Sequence, residues 1–317
     1  MSRSVPGLLL VALSACRAEA PPAAPPVVPA AVLVEPSPVA LRAGETAQLA
    51  AQANDALGQP IGGAPLAFET SDPGIVRVTP TGLATSSGSA GSARITVSSG
   101  PTRTAVPVTV TPAAPSKLER PTPGELAGVA GAPLPAPVAV RCLDPFGNPV
   151  AGAKLRVSAL DGGAVASGEA VTDATGGVEL AWTLGPRQGV QRLSVALDAA
   201  PGAALLVTAA ARPGAPAKLT ALAPPADAPA PAADGEQVLR VRVTDAHENP
   251  IPALELGWRV SAGRATVTSS GPTDADGVAE AHVRPAARAR GVKVEAIAPG
   301  GGARPLVLEL AAPPRSR

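Results

Sequence analysis

An eight-residue pattern occurs twice in this chain, 101 residues apart, and this spacing constrains the fold more than any other feature of the sequence. The first copy reads LDPFGNPV (143–150) and the second reads TDAHENPI (244–251). Asp144 therefore corresponds to Asp245, and Asn148 corresponds to Asn249. Asp and Asn side chains favour turns by bonding to nearby backbone, and Pro149 has its φ already set to begin the next strand. The pattern predicts a hairpin-like corner repeated once per module, without chemistry of its own.

Further landmarks share the same spacing. The segment APSKL (114–118) returns as APAKL (215–219), and VTDA (171–174) returns as PTDA (272–275). The repeated unit therefore runs from 115 to 213 and again from 216 to 312, and we call these the second and third modules. Units of about 100 residues with many short strands are typical of β-sandwiches.

Hydrophobic residues alternate in both copies with the period of two that a half-buried strand requires. The inward positions of one predicted strand are Val138, Val140 and Cys142, and their counterparts are Leu239, Val241 and Val243. Because Cys142 aligns with Val243, we expect a small buried hydrophobe rather than a reactive thiol. A later strand places Val178, Leu180, Trp182 and Leu184 inward. Trp258 shares a face with Leu254 and Leu256, so both Trp side chains are predicted to lie in cores.

Residues 31–112 form a different unit, which we call the first module. Short predicted strands are broken by Gly, Pro and Ser-Asp turns every eight to twelve residues, which again indicates a sandwich. The unit opens with PSPVALRAGETAQL (36–49), continues with FETSDP (68–73), and closes with GSARITV (91–97).

These motifs carry a family resemblance. Residues 31–112 resemble the bacterial Ig-like domain of group 2, with Phe68 at a position where that family usually has Trp. The second and third modules resemble the group 1 type known from invasin and intimin, through D-x-x-G/E-N-P-V/I and a later T-D-x-x-G. Glu248 stands where the second module has Gly147, so the later turn is expected to be less typical. The resemblance implies an all-β chain of three tandem immunoglobulin-like sandwiches. It implies little about function, because such modules occur in adhesins, enzymes and appendages.

The start of the chain resembles a bacterial lipoprotein signal. Residues 1–15 hold one Arg and an apolar run too short to cross a bilayer, and the run ends Leu13-Ser14-Ala15-Cys16. The resemblance implies cleavage before Cys16, lipid on its sulfur, and delivery to the outer membrane, because Arg17 rather than Asp follows. Secretion after ordinary cleavage at Ala20 is the alternative.

A Pro/Ala-rich linker occupies residues 16–30, and a short tail occupies 313–317. Pro-rich sequence favours an extended polyproline II conformation, so the 14 residues after Cys16 (17–30) span up to about 43 Å. We expect them to form a stalk behind the lipid. The Pro-containing links 111–116 and 211–217 are short, which favours a semi-rigid array of modules.

The composition argues against several classes of function. A net charge of +1 gives no electrostatic footprint for nucleic acid, and two Phe, two Trp and no Tyr leave few platforms for sugars or bases. No nucleotide-binding or hydrolase fingerprint occurs. His247 and His282 have no catalytic partner suggested by spacing, and DADG (274–277) predicts an Asp-led turn rather than a calcium loop.

The sequence therefore predicts no catalytic, cofactor-binding or metal-binding residues and a single modification site, Cys16. The expected protein is a non-catalytic lipoprotein of the cell envelope, held to the membrane by lipid on Cys16. It would present a rod of Ig-like modules for adhesion or for contact with an unidentified protein or surface ligand. The alternative is a structural or assembly subunit of an envelope or appendage complex.

Overall fold

A computed structural model describes residues 28–223, 235–287, 289 and 291–310. All regular elements in these ranges are β-strands, and none of the described segments forms a helix suited to crossing a membrane. The predicted signal peptide, Cys16, Ala20 and most of the linker lie outside the described residues. The chain divides into two compact units. Unit 1 comprises Met1–Leu41, Glu45–Ser87 and Gly91–Val110, and unit 2 comprises Arg42–Gly44, Gly88–Ala90 and Thr111–Arg317.

The strands of residues 31–111 form three sheets, ordered β1-β4, β2-β9-β8-β5 and β3-β7-β6. Alternating burial along β8 and β9 sends Ile95, Val97, Val106 and Val108 into the core, as the sequence pattern requires. The bounds are β1 Ala31–Glu35, β2 Val39–Arg42, β3 Thr46–Gln48, β4 Ala50–Asn54, β5 Ala67–Thr70, β6 Val76–Val78, β7 Leu83–Ser86, β8 Gly91–Ser99 and β9 Thr102–Thr111.

Within unit 2, residues 117–212 form sheets β10-β12-β16, β11-β19-β18-β13-β15 and β14-β17. All their pairs are antiparallel except β11 with β19. The bounds are β10 Lys117–Glu119, β11 Leu126–Val129, β12 Val138–Leu143, β13 Lys154–Ala159, β14 Ala164–Val165, β15 Glu169–Val171, β16 Gly177–Leu180, β17 Trp182–Thr183, β18 Gly189–Leu197 and β19 Ala200–Arg212.

Residues 218–309 of unit 2 form two further sheets, ordered β20-β21-β24-β23 and β22-β25-β26. No sheet in the described part of unit 2 draws strands from both 117–212 and 218–309. The bounds are β20 Lys218–Leu222, β21 Gln237–Thr244, β22 Gly257–Ala262, β23 Ala265–Ser269, β24 Val278–Pro285, β25 Lys293–Ile297 and β26 Leu306–Glu309.

The predicted inward positions lie in the cores. Cys142, Val241 and Val243 are fully buried, and burial raises the pKa of the Cys142 thiol. Trp182 is 2% exposed, whereas Trp258 is partly buried and packs against two core clusters of its module. The all-β, tandem-sandwich fold class is confirmed. The predicted domain limits remain predictions, although the sheets of unit 2 respect the limits between 213 and 216.

Candidate site at the Asp–Asn turns

The first Asp–Asn turn (residues 144–150) is built around the carboxylate of Asp144. Its Oδ1 accepts the N–H groups of Phe146 and Asn148 at 2.9 and 2.8 Å, and the Asp144 N–H donates to the Asn148 carbonyl at 2.9 Å. The predicted Asp-led corner is therefore present. Pro149 forms an isolated bridge with Leu143, and the next strand, β13, begins only at Lys154, so Pro149 does not restart a strand.

The second Asp–Asn turn (residues 245–251) repeats these bonds. Asp245 Oδ1 accepts the N–H groups of His247 and Asn249 at 2.8 and 2.9 Å. Glu248 has φ 65°, close to the φ 86° of Gly147, so this turn reaches the same left-handed conformation without glycine. The second turn repeats the hydrogen bonds of the first, but it places a residue other than Gly at positive φ, which is uncommon and fits the expectation of a less typical turn.

The second carboxylate oxygen of each Asp binds the linker that enters its module. Asp144 Oδ2 accepts the Ala113 N–H at 2.8 Å, and Asp245 Oδ2 accepts the Gly214 N–H at 2.8 Å. Both donors stand in the Pro-containing links, one residue after a Pro. Each Asp thus holds its own turn with one oxygen and the incoming chain with the other.

The Asn side chains bond outside their own turns, which the sequence analysis did not anticipate. Asn249 Nδ2 donates to the Pro186 carbonyl at 2.8 Å, and its Oδ1 accepts the Gln188 N–H at 2.9 Å. Pro186 and Gln188 lie between β17 and β18, in the second module. One amide therefore makes a two-point contact with the backbone of the neighbouring module of unit 2.

Asn148 makes the same contact elsewhere in unit 2. Its Nδ2 donates to the Gly88 carbonyl at 2.7 Å, and its Oδ1 accepts the Ala90 N–H at 2.9 Å. In both turns the Asn amide also donates to its own Asp Oδ2, at 2.8 Å in the first and 2.9 Å in the second. The Asp therefore orients the amide that makes the outward contact.

The third residue of each turn packs on glycine. A Cβ added to Gly88 or Gly44 would come within 2.6 or 2.7 Å of the Phe146 ring, and one added to Gly131 would lie 2.3 Å from His247 Nε2. All three glycines have positive φ, between 76° and 99°. Glycine is required at these positions both for its backbone conformation and for the close approach of a ring.

The Asp carboxylates are held ionised. Burial opposes ionisation of Asp144 and Asp245, which are each 2% exposed. Hydrogen bonds from the Asn amide and from three backbone N–H groups outweigh burial, so the pKa of each Asp lies below its ordinary value. Replacing either Asp by a residue without a hydrogen-bond acceptor would leave the buried N–H groups that bind its carboxylate without partners.

In each module, the hydroxyl group of a buried Thr forms hydrogen bonds with the segment that follows the turn. Thr172 Oγ1 donates to the Val150 carbonyl at 2.7 Å and accepts the Ala153 N–H at 2.9 Å. Thr273 makes the matching bonds to Ile251 and Leu254 at 2.7 and 2.8 Å. The T-D motif of the sequence thus supplies a hydroxyl that ties the segment after each turn into the sandwich.

Asp274 and His282, which the sequence raised as possible metal-binding or catalytic residues, lie outside the Asp–Asn turns. Asp274 Oδ1 accepts the N–H groups of Asp276 and Val278 at 2.9 Å each, so the Asp-led turn forms as predicted. His282 lies on an outward position, but its Nδ1 is 2.7 Å from Glu236 Oε1. Glu236 immediately precedes β21, which pairs with β24, so this exposed ion pair follows from strand pairing and not from a spacing visible in the sequence. Within the described ranges, no three His, Cys, Asp or Glu residues cluster as metal ligands would.

A third turn of this kind lies in unit 1 and was missed by the sequence analysis. Asp55 Oδ1 accepts the N–H groups of Leu57 and Gln59 at 2.9 and 2.8 Å, and the Asp55 N–H donates to the Gln59 carbonyl at 2.9 Å. The sequence signal is DALGQPI (55–61), in which Gln59 replaces Asn. It falls 89 residues before the first Asp–Asn turn, so a search at a period of 101 passes over it.

Comparison with known proteins agrees with this architecture. The sequence model of the bacterial Ig-like domain, group 1, matches residues 224–308. No curated protein matches the chain. The solved structure of FdeC, an Escherichia coli adhesin, superposes with a TM-score of 0.55 at 20% identity, over 89% of this chain and 96% of that one.

Other structures are less similar. InvD of Yersinia pseudotuberculosis gives a TM-score of 0.48 at 15% identity, over 89% of this chain and 97% of that one. Invasin, a bacterial integrin-binding protein, gives 0.46 at 16% identity, and the match spans 88% of this chain and 57% of the invasin structure. The group 2 assignment of residues 31–112 stays a prediction. Residues 224–308 match the sequence model of group 1 bacterial Ig-like domains, within a chain that has the tandem Ig-like fold.

Proposed function

We propose that this chain is a non-catalytic surface lipoprotein that presents Ig-like modules in series for adhesion. The observation that carries the proposal is the pair of hydrogen bonds by which Asn249 holds the backbone of Pro186 and Gln188. A protein that only needed to tether independent domains would not require a buried amide at the start of a module. Fixed successive modules suit a part that keeps a contact surface at a set distance from its anchor.

The solved structures support the adhesive part of the proposal. FdeC, which shares the fold over nearly the whole of both chains, is described as an adhesin. Ig-like sandwiches place loops at their two ends, and binding residues are commonly found on such loops. The proposed contact surface is therefore formed by loops, with the sandwiches as rigid supports.

The anchor of the proposed protein is lipid on Cys16, as the Leu-Ser-Ala-Cys motif implies. Two or three acyl chains hold a protein durably to a membrane, whereas one does so only marginally. The proposed location is the outer membrane, because Arg17 rather than Asp follows the modified Cys.

The test compares the native chain with Cys16→Ser in cells fed a radiolabelled fatty acid. We expect the native protein to carry label, to sediment with membranes and to begin at Cys16 by mass spectrometry. Cys16→Ser should lose the label and the membrane association. Cys142→Val is the matched control, since it removes the other cysteine and installs the residue of the sister module. Label or membrane association that persists in Cys16→Ser would contradict the lipid anchor, and a chain beginning at Pro21 would favour secretion.

Adhesion is tested separately with the same strains. We expect cells with the native protein to bind host-cell or matrix-coated surfaces more strongly than cells with Cys16→Ser. Equal binding, together with altered envelope integrity, would favour the structural alternative instead.

A further inference from the structure

The loop of the second module that Asn249 contacts is held by one buried side chain of its own module, Gln191. We call residues 185–188 the junction loop, because Asn249 bonds to the Pro186 carbonyl and to the Gln188 N–H. Gln191 lies near the start of β18 and is 3% exposed. It contacts the junction loop from within the second module, whereas Asn249 contacts the loop from the third.

The Gln191 amide uses both its nitrogen and its oxygen on this loop. Its Nε2 donates to the carbonyls of Gly185 and Arg187, at 3.0 and 2.6 Å. Its Oε1 accepts the Gly185 N–H at 2.6 Å. These three bonds hold the residues on both sides of Pro186, so they restrict the direction in which the Pro186 carbonyl points.

One peptide group connects Gln191 directly with Asn249. The Arg187 carbonyl and the Gln188 N–H belong to the same trans peptide, which is planar, so the two groups point in opposite directions. Gln191 binds the carbonyl of this peptide and Asn249 binds its N–H. A change in the tilt of the peptide on the Gln191 side therefore changes the angle at which its N–H meets Asn249.

Gly185 links Gln191 to the other contact between these two modules. Its carbonyl accepts the Gly131 N–H at 2.9 Å as well as the Gln191 amide, and Gly131 is the residue on which the His247 ring packs. The space around Gly185 is tight, since a Cβ there would lie 2.3 Å from the Asp161 carbonyl oxygen. Gln191 thus supports both of the places where the third module was found to contact the second.

The third module shows that a sandwich of this type does not need an amide at this position. Gln191 corresponds to Val292, 101 residues later, which is also 3% exposed and packs in a core cluster. The next inward positions agree, since Leu193 and Val294 are both fully buried. Burial of an amide costs free energy unless the amide is hydrogen-bonded. Gln in place of Val therefore points to a role other than packing.

We propose that Gln191 is a positioning residue of the junction, which fixes the junction loop in the shape that accepts the Asn249 amide. The second module then presents a preorganised site for the Asn-Pro turn of the module that follows it. Preorganisation strengthens a contact because less conformational entropy is lost when the contact forms. This inference rests on the part of the proposed function that holds modules in series, but it requires neither lipid on Cys16 nor adhesion.

The test measures the junction by the distance between spin labels. The labels are placed at Ser158→Cys in the second module and Ser261→Cys in the third, in a full chain that carries Cys16→Ser and Cys142→Val. Gln191→Val installs the residue of the sister module, and Gln191→Met keeps a long side chain without its hydrogen-bonding groups. We expect either variant to broaden the distance distribution relative to the parent.

A double-mutant cycle separates positioning from a general loss of stability. If Gln191 acts on Asn249 through the junction loop, Gln191→Val should broaden the distribution as far as Asn249→Ala does, and the double variant should broaden it no further. Thr172→Val is the matched control, because it removes a buried polar group of the same module that bonds to two backbone groups elsewhere. It should lower the urea midpoint of unfolding without broadening the distribution.

Four results would overturn the inference while leaving the Asn249 contact in place. They are a parent-like distribution in a folded Gln191 variant, additive broadening in the double variant, equal broadening by Thr172→Val, and failure of both Gln191 variants to fold. The last result would mean that the sandwich itself needs the amide. If Asn249→Ala leaves the distribution unchanged, the inference fails together with the fixed-module part of the proposed function.

Discussion

Asn249 and Gln188 belong to different modules, yet the Asn249 Oδ1 accepts the Gln188 backbone N–H at 2.9 Å. The same amide donates to the Pro186 carbonyl at 2.8 Å, and Asn249 is 6% exposed. The arrangement imitates one rung of an antiparallel ladder, with a side chain in place of a strand. We expect two hydrogen bonds from one buried amide to restrict sliding and rotation of one module on the other.

Replacing Asn249 with Ala should loosen this junction. The substitution leaves the Pro186 carbonyl and the Gln188 N–H without their partner, which lowers the free energy of unfolding by about 1 kcal/mol. The more direct readout is the distance distribution between spin labels at Ser158→Cys and Ser261→Cys, in a background of Cys16→Ser and Cys142→Val. We expect a broader distribution in Asn249→Ala than in the parent protein.

Asn148→Ala is the matched control for that measurement. It removes the same kind of two-point contact elsewhere in unit 2 and should cost about 1 kcal/mol of stability, without changing the label distance. An unchanged distribution in Asn249→Ala would show that the amide contact does not determine how the second and third modules are joined.

Acid should weaken the turns before it unfolds the cores. The pKa values of Asp144 and Asp245 are lowered in the folded chain. Their ionisation therefore adds stability above the ordinary Asp pKa of about 3.9, and this stability is lost as the pH falls below that value through the folded pKa. Urea unfolding followed from pH 6 to pH 2.5 should show this decline. Asp144→Asn should be less stable at pH 6 and should lose less stability on acidification. A parallel decline in both proteins would exclude Asp144 as a source of the acid sensitivity.

A matched pair of positions tests the left-handed backbone behind the turns. Gly152 has φ 70° and open space where a Cβ would lie, whereas its counterpart Ala253 has φ 56°. Gly152→Ala should lower the free energy of unfolding by about 1 kcal/mol through backbone strain alone. Ala253→Gly should raise it by about 0.5 kcal/mol, since relief of strain exceeds the added entropy of the unfolded chain. Thermal and urea unfolding measure both, and the same sign for the two changes would contradict the argument.

The hydroxyl of Thr172 should matter more than its methyl group. Thr172→Val keeps the shape of the side chain but leaves the Val150 carbonyl and the Ala153 N–H unsatisfied, at a cost of about 2 kcal/mol. Thr172→Ser keeps both bonds and should cost less than half as much. Calorimetric unfolding of the two variants decides this, and equal losses would mean that packing of the methyl group dominates.

Local pattern was enough to predict the strands and their inward faces. Alternation placed Val138, Val140 and Cys142 in the core because the side-chain period of a strand is a property of the backbone itself. The turn at Asp144 was equally accessible, since an Asp carboxylate bonds to N–H groups two and four residues ahead. These contacts are short in sequence, so the residues that make them can be recognised together.

The junction could not be predicted in the same way. Asn249 contacts Pro186 and Gln188, more than 60 residues earlier, through main-chain atoms that carry no sequence signature. His282 and Glu236 likewise meet only because β21 and β24 pair. The sequence does contain one clue to the junction. An amide residue, Asn or Gln, precedes Pro in all three turns, although the turn by itself would accept several other residues at that position.

The side chains that form the hydrogen bonds of the junction all come from the later module, and this affects how such a chain can diverge. Asn249 and Asp245 supply side chains, whereas the earlier module and the linker supply only carbonyl and amide groups. Substitutions in the loop at 186–188 therefore leave the bonding groups in place so long as the backbone path is kept. Because these side chains lie at the start of each unit, a gene duplication cut at the linker would give a new unit that can form the same backbone hydrogen bonds with a preceding Ig-like neighbour, provided that this neighbour keeps the loop path and a glycine such as Gly131 beneath the ring.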